Sequence, residues 1–566
     1  MSDVTFDRCD VPVLIVGGGP VGLALAADLG WRGHQCLVVE QGDGTLTHPR
    51  ANAENARTME FCRRWGIADK VREAGTPEDF SHDVLYLTGL KSHRILHIER
   101  SGHGGRGAST LSPERPQRCN QIWLDPILRD RAAGFEGVTV RQQCRFESFV
   151  EHDDHVVARV HDLMTDTVSE IRCRYLVACC GGRSGIRQTL GIGMTGKPVL
   201  DYNLNLFFRI PNLSSHHIMG DASMYFFVDR TGLWASLVAL DGRDLWRVGL
   251  RGKEVYENPQ SVDGAAILRR LLGRDVPHEM ISAVPWVARD LVADSYGSAR
   301  VFLAGDAAHL NTPSGGFGMN TGLGDAVDLG WKLAAMLEGW GSPGLLGSYE
   351  VERRPIALRN VRQAAENFEA TIATTADERL EEDGETGETA RAELAAWIRD
   401  KRTRTFLTDG TALGYRYDPS PICWPDGTPA PEDTIVRYQP SSRPGGRAPH
   451  AWLADGRSTL DLFGHGFVLL KFGTDDAPSE PLERALATRS IPLRIVTITD
   501  PDIARLYERR LVLVRPDGHV AWRGDVCPQD CAALAARICG ADAAPPARLS
   551  AAAAGAPDEI GTMVAP

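Results

Sequence analysis

Gly17, Gly19 and Gly22, in the run GGGPVG, have G-x-G-x-x-G spacing between an apolar stretch, Val11–Val16, and a helix-favouring one, Pro20–Trp31. Such a turn can bind a pyrophosphate. The first glycine permits the tight bend, the second lets phosphates approach the backbone, and the third lets the helix pack on the sheet. The helix N-terminus adds free amides and a partial positive charge, and Pro20 suits its first position. Glu40 lies eighteen residues after Gly22, at the end of the next apolar stretch, Cys36–Val39. An acid there can accept hydrogen bonds from an adenosine ribose, and Gln41 beside it is assigned to the same site.

This pattern alone serves NAD or FAD. The run GDAAHLNTPSGGFGMNTGLGDA, Gly305 to Ala326, decides between them. It follows the buried-strand sequence Val301–Ala304 and holds six glycines and no lysine or arginine. Asp306 is placed to hold the hydroxyls of a polyol chain. Gly315, Gly316, Phe317, Gly318, Met319 and Asn320 can pass close against a flat ring, with a helix from about Asn320 aiming its amides at it. A reduced isoalloxazine gathers negative charge, which a helix N-terminus stabilises by up to about 2 kcal/mol in buried geometry. Backbone without cations therefore points to FAD. His309 reads as a packed structural histidine, because nothing near it in sequence would orient it as a base.

These residues need rigid elements beneath them. Val11–Val16, a helix over Pro20–Trp31 and Cys36–Val39 make a βαβ opening; Tyr175–Cys180 and Val301–Ala304 read as further buried strands, and Leu323–Glu338 and Tyr349–Thr371 as helices. Residues 81–120 and 196–290 alternate instead (LNLFFRI, SMYFFVD, LWASLVAL, LWRVGLRG), as antiparallel strands with one wet face do. Their aromatics include Phe207, Phe208, Tyr225, Phe226, Phe227, Trp234 and Trp246. As a group they fit an apolar aromatic pocket, with Tyr225, Phe227, Trp234 and Trp246 as candidate substrate contacts. The first unit would comprise 1–80, 121–195 and 291–372, interleaved with the β-rich unit. Residues 373–447 would be a solvated helix or linker closing in a Pro/Gly/Ser-rich boundary, 448–540 a small α/β unit with a PDG turn, and 541–566 a disordered tail.

GGGPVG…E, a middle GGRS segment and GDAAH…P…G-x-N resemble the group A flavoprotein monooxygenases, the p-hydroxybenzoate hydroxylase-like aromatic hydroxylases, over about residues 10–370. Ala448–Gly540 is similar to the thioredoxin-like C-terminal domain of the phenol hydroxylase branch, which includes polyketide and phenylpropionate hydroxylases. It lacks a redox CxxC, since three residues separate Cys527 from Cys531, so a structural or homodimer-related role is implied. The expected fold is α/β: a Rossmann-type FAD-binding domain interleaved with an antiparallel-β substrate domain, plus a C-terminal thioredoxin-like domain. The resemblance implies that Arg50 lies near the FAD phosphates, that Gln121 contacts the cofactor, and that Pro313 and Phe317 line the ring. It ties the middle segment to FAD and to the reductant, NADPH or NADH. Arg183 and Arg187 could meet phosphates there, or form a structural ion pair. Cys180 stands where such families carry aspartate, which bears on nucleotide affinity and hydride-transfer geometry. The implied reaction is O2-dependent hydroxylation of a phenolic or polycyclic aromatic through a flavin C4a-hydroperoxide. A Baeyer–Villiger or epoxidising monooxygenase of the same fold, and a flavoprotein with impaired NAD(P)H use, are the alternatives.

The whole chain sets the bounds. Its 566 residues exceed one core, and a net charge of -12 argues against nucleic acid or an anionic membrane as partner. Val11–Ala27 is uncharged, but its four glycines, a proline near its middle and the acidic start fit neither a signal nor a membrane span. Twelve cysteines without a spacing framework read as reduced, cytoplasmic thiols. No second strand–G-x-G-x-x-G–helix with its acid is present for a resident nicotinamide, and no WxWxIP stretch of the flavin halogenases. No metal is implied.

Overall fold

The computed structural model describes residues 9–100, 109–375, 377–473 and 478–547. A seven-stranded sheet starts from the βαβ opening: Val11–Val16 pairs in parallel with Cys36–Val39 on one side and with Thr167–Ala178 on the other. Val138–Arg141 extends it in parallel beyond Cys36–Val39. Thr167–Ala178 is long enough for two partners on its far side. Its first half pairs antiparallel with Val156–Asp162, and its last residues pair in parallel with Val301–Leu303. The central strands are buried on both faces, which is why they read as unbroken apolar runs. Gly17 and Asp306 both follow the C-terminal ends of such strands, where ligands of open α/β sheets collect.

The second sheet has eight strands, mostly antiparallel, with Met224–Asp229 running parallel to Val84–Leu87. Strict alternation divides its faces. Leu204, Leu206, Phe208, Tyr225, Phe227, Trp246 and Val248 pack beneath the Gly264–Leu272 helix into one apolar core. Asn203, Asn205, Phe226, Ser236, Arg247 and Gly249 point the other way, toward the first sheet.

The C-terminal unit is a four-stranded mixed sheet, Leu493–Ile498, Phe467–Phe472, Leu511–Val514 and Val520–Gly524, with Glu480–Thr488, Pro501–Tyr507 and Cys531–Ile538 as its helices. It shares a core with the first unit: Trp331 and Trp340 pack edge-on against Phe467 at 6.3 and 6.0 Å. A buried ion network crosses the same joint. Arg515 pairs with Glu352 at 2.6 Å, Asp328 at 3.2 Å and Asp517 at 2.8 Å, while Lys332 bridges Asp328 and Glu352 at 2.7 Å each. Arg447 pairs with Glu60, which Arg57 also holds at 2.8 Å.

Two expectations change. Residues 373–447 are not a solvated linker, because Ala390, Leu394, Ala395 and Ile398 of the Glu385–Arg402 helix pack on Val84, Tyr86 and Phe226. Its high charge belongs to the opposite face. Nor do residues 541–547 form a loose tail: their backbone closes over Gly344 and Gly347, where a β-carbon would collide with the Ala543 and Ala544 carbonyls. The rest of the expected tail, 548–566, lies outside the described residues.

Burial alone would raise the Glu60 carboxyl, but Arg447 and Arg57 hold it down at about 2, and Arg515 with Lys332 likewise overrides burial to lower Glu352. Carboxylates depressed by folding stabilise fully above their unfolded pKa, near 4.3, and lose that contribution as pH falls toward 2. Acid should therefore loosen the C-terminal joint over that window, measured as Trp fluorescence change and new proteolysis near residues 419–447. Arg515→Leu, which strands buried acids, should cost about 3–5 kcal/mol at neutral pH in denaturant unfolding.

Candidate active site

The two glycine motifs open into a single cavity of about 1760 Å³. At one end, Gly17 has φ of 110°, and a β-carbon there would strike the Cys179 carbonyl. At Gly22 a β-carbon would strike Gly17. At Gly19 it would meet nothing within 4 Å, so this glycine faces open space, as a turn that receives a pyrophosphate must. The Pro20–Trp31 helix starts without a side-chain cap and without an acid in its first turn, leaving its amides for a ligand. Glu40 accepts from Gly18 N and Gly42 N, both at 2.7 Å. Its carboxylate braces the glycine turn while still facing the cavity beside Gln41.

Arg50 and Gln121 line the same end. Gln121 Nε2 donates to Asp125 at 2.9 Å. Asp125 is a site residue the sequence did not single out: burial pushes its carboxyl up to about 7, against Gln121 and Arg50. Its only sequence signal is its place one turn after Gln121 on the helix. Cys180 Sγ donates to Ser184 Oγ at 3.0 Å and lines the cavity, with burial raising the thiol pKa. Arg183 is exposed at the cavity. Arg187 is not available for phosphates: it is 8% exposed and its Nη1 donates to the Gly182 and Ala307 carbonyls at 3.2 and 3.4 Å, bracing the middle segment on the second loop.

At the other end, Asp306 is open to the cavity yet surrounded by protein, and desolvation raises its carboxyl against the pull of His309 and Arg50. Gly315 and Gly316 take φ of 105° and 70°, letting the chain turn into the Phe317–Glu338 helix. This helix begins three residues before Asn320, again with no side-chain cap and no acid in its first turn. Pro313, Gly316, Phe317, Gly318, Met319 and Asn320 all line the cavity. The Asn320 side chain is committed elsewhere, however. It donates to Ala53 O and Gly316 O at 2.8 and 2.6 Å and accepts from Asn55 N and Thr58 Oγ1, so only its backbone can serve a ring.

His309 does have an orienting partner, sixteen residues along. Its Nε2 is 2.7 Å from Asp325 Oδ2, which also accepts from Gly305 N at 3.1 Å, while Arg353 Nε donates to Oδ1 at 2.8 Å. Burial opposes the charge on His309, but Asp325 outweighs it and raises the pKa, in a fully buried triad beneath the loop.

The expected substrate aromatics need correction. Tyr225, Phe227 and Trp246 are at most 1% exposed in the core on the far face of the second sheet. Trp234 packs against that core under Arg270, 3.7 Å from its ring centre. Phe226, Trp286, Phe368 and Phe406 line the cavity instead. The missed signal was the composition of each alternating set: the wholly apolar one is core, and the mixed one faces the ligand space.

Only a ligand with phosphates at one end and a flat ring at the other uses both glycine turns, and the aromatic sheet face stands ready beyond the ring. That defines the class of FAD-dependent aromatic monooxygenases. Residues 10–364 match the FAD binding domain family and residues 441–542 the aromatic-ring hydroxylase C-terminal domain, and the chain belongs to this family of flavin-dependent aromatic hydroxylases. It is 35% identical over 559 residues to the tetracenomycin B2 monooxygenase-dioxygenase of Streptomyces olivaceus, covering 93% of this chain and 97% of that one. It is 32% identical to the aklavinone 12-hydroxylase RdmE of Streptomyces purpurascens, over 92% and 97%. Among solved structures, chromopyrrolic acid-soaked RebC with bound 7-carboxy-K252c superposes with a TM-score of 0.87 at 43% identity, covering 94% of this chain and 99% of that one. A ternary complex of aklavinone-11 hydroxylase with FAD and aklavinone gives 0.80 at 29%, covering 95% and 99%.

Two glycines of the turn, one open and one crowded, separate binding from folding. Gly19→Ala should yield folded protein with an unchanged melting temperature but colourless, because its methyl occupies phosphate space; absorbance at the flavin bands checks this. Gly22→Ala should fail to fold stably. Asp325→Asn, which leaves Arg353 and His309 without their counter-charge, should lose about 3–5 kcal/mol and shed FAD on dilution.

Proposed function

We propose that the protein hydroxylates a phenolic or polycyclic aromatic substrate, with O2 as oxidant and NADPH or NADH as a transient reductant. The observation that carries this is the single cavity of about 1760 Å³ joining the glycine turns to the aromatic sheet face. It exceeds the roughly 300–1,000 Å³ of one ordinary ligand pocket, leaving room for a substrate beside the cofactor. RebC holds 7-carboxy-K252c and aklavinone-11 hydroxylase holds aklavinone, which supports an extended aromatic substrate here.

When bound, FAD supplies the two-electron chemistry that activates O2 for transfer of one oxygen atom. The chain's part is binding, orientation and dryness. The backbone at Gly17–Gly22 takes the phosphates and Asp306 the polyol hydroxyls. The first amides of the Phe317–Glu338 helix oppose negative charge on the ring, worth up to about 2 kcal/mol. Pro313 and Phe317 cover the ring, while Trp286, with Phe226 and Phe406 showing part of their surface in the same lining, offers apolar surface for an aromatic substrate. The reductant has no glycine turn of its own, so its docking is transient and falls near Cys180 and Arg183.

Anaerobic mixing of the holoenzyme with NADH or NADPH, with and without candidate phenols, is the test. Bleaching of the flavin bands, faster with a bound phenol, is expected, followed by a product carrying one labelled oxygen on an aromatic carbon after exposure to labelled O2. Flavin that stays oxidised with both nucleotides overturns the reading, and label placed in an ester or epoxide moves the chemistry to another branch. Cys180→Asp, restoring a fixed acceptor beside Ser184, should speed reduction in the same mixing experiment.

A further inference from the structure

The C-terminal unit carries two thiols in the run CPQDC, far from the cofactor cavity, and no step above uses them. Cys527 follows the Val520–Gly524 strand and is partly open, beside the exposed residues Asp525 and Val526. Cys531 is the first residue of the Cys531–Ile538 helix and is 8% exposed. The turn between them folds back on itself. Cys531 Sγ donates to Pro528 O at 3.3 Å, so its sulfur lies over the residue bonded to Cys527, and each thiol is a hydrogen-bonding neighbour of the other. Cys527 Sγ donates to Pro478 O, also at 3.3 Å. Thiols are weak donors, so neither carbonyl holds its sulfur firmly. Cys539, the other thiol of this unit, lies eight residues beyond Cys531, about 12 Å further along the helix axis, and its Sγ donates to Ala536 O.

The surroundings give the two sulfurs different roles. Burial raises the pKa of both. At Cys527, the Leu482 amide in the first turn of the Glu480–Thr488 helix and the Cys531 thiol favour the thiolate, against Glu480 and Glu483. At Cys531, the Cys527 sulfur and Asp530 both favour the protonated form. The partly open sulfur with anion-stabilising donors is the nucleophile, and the buried, protonated one is placed to resolve it. Cys36, inside the first sheet, shows the contrast: burial alone pushes it up to about 12 and no donor offsets it.

We propose that Cys527 and Cys531 form an oxidation site, at which hydrogen peroxide produces a reversible disulfide within the chain. The Cys527 thiolate attacks peroxide, the O–O bond breaks, and a sulfenic acid forms as the departing hydroxide takes up a proton to become water. Cys531 then gives up its proton and attacks that sulfur; the S–S bond forms, the S–O bond breaks, and a second water leaves. Two thiols lose two electrons and two protons, and one peroxide becomes two waters. The oxidant arises where a flavin works, since a reduced flavin that meets O2 without passing an oxygen atom to a substrate returns its electron pair to O2 as hydrogen peroxide. Because burial raises both thiols, the reaction is slow and records sustained rather than brief exposure.

Holoenzyme is incubated with excess hydrogen peroxide, quenched with catalase, unfolded and alkylated, and the label at each cysteine is read by peptide mass spectrometry. Untreated protein should be labelled at all twelve cysteines. After peroxide, Cys527 and Cys531 should lose label together and in equal measure, with a peptide link joining them, and dithiothreitol should restore both. Cys531→Ala, whose methyl suits the buried position, should leave Cys527 as a sulfenic acid that dimedone traps. Cys527→Ser should leave Cys531 fully alkylatable. Full labelling of both residues after treatment, Cys527 passing to sulfinic acid in the parent while Cys531 stays free, or a link that joins two chains overturns the proposal. The link in the parent protein is decisive without either variant. Flavin absorbance and reduction on the same samples report on the hydroxylase reading, which this site does not need.

Discussion

The carboxylate of Asp325 fixes where the cofactor loop lies. It is fully buried, and it stays charged because His309 and Arg353 stand against its two oxygens while Gly305 N completes one of them. A buried charge with three fixed partners has one low-energy arrangement; moving any partner exposes an uncompensated ion, at a cost of several kcal/mol. Gly305 directly precedes Asp306, and Asp325 sits on the helix whose first turn faces the ring site. One carboxylate therefore sets the distance between the polyol end and the ring end of the cofactor site. The loop between can be glycine-rich and cation-free because its rigidity comes from below.

The helix Pro343–Ile372 carries this constraint outward. Its adjacent residues Glu352 and Arg353 face different neighbours: Arg353 reaches Asp325 under the loop, and Glu352 reaches Arg515 and Lys332 at the joint with the C-terminal unit. Asp328 and Lys332, one and two turns after Asp325, close the network on the loop's own helix. The thioredoxin-like unit, lacking a redox CxxC, acts on the site through this contact. Its Arg515 and Phe467 lie directly against the helices that hold the ring end.

Much of this was legible in the residues. Val11–Val16, Pro20–Trp31 and Cys36–Val39 have in the structure the limits their sequence shows, because local periodicity and the glycine turn agree there. The apolar periodicity of the helix at the ring starts only at Leu323 and the glycine motif sets its first amides near Asn320, but the helix begins at Phe317, since Gly318, Gly322 and Gly324 erase the periodicity of its first turns. Those glycines serve packing: a β-carbon at Gly322 would press on Val21 and Gly305, where the helix passes the strand ends. The long-range pairs were invisible, Asp325 to His309 and Arg515 to Glu352 among them, because nothing in spacing reports which buried charges meet across elements.

The misplaced aromatics have a single cause. Period-two alternation gives a sheet two faces but does not say which one protein covers. On the strands around Phe226 and Arg247, the face with Tyr225, Phe227 and Trp246 is apolar throughout because protein completes it. The face with Phe226, Ser236, Arg247 and Gly249 is mixed because part of its complement is not protein. Rings, hydroxyls and guanidiniums left side by side on a buried wall have no arrangement that satisfies them all from within the chain, and a core selected for stability alone would replace them with aliphatics. The mixed composition of that wall, against the wholly apolar set on the far face, is therefore what separates the cavity side of the sheet from its core side.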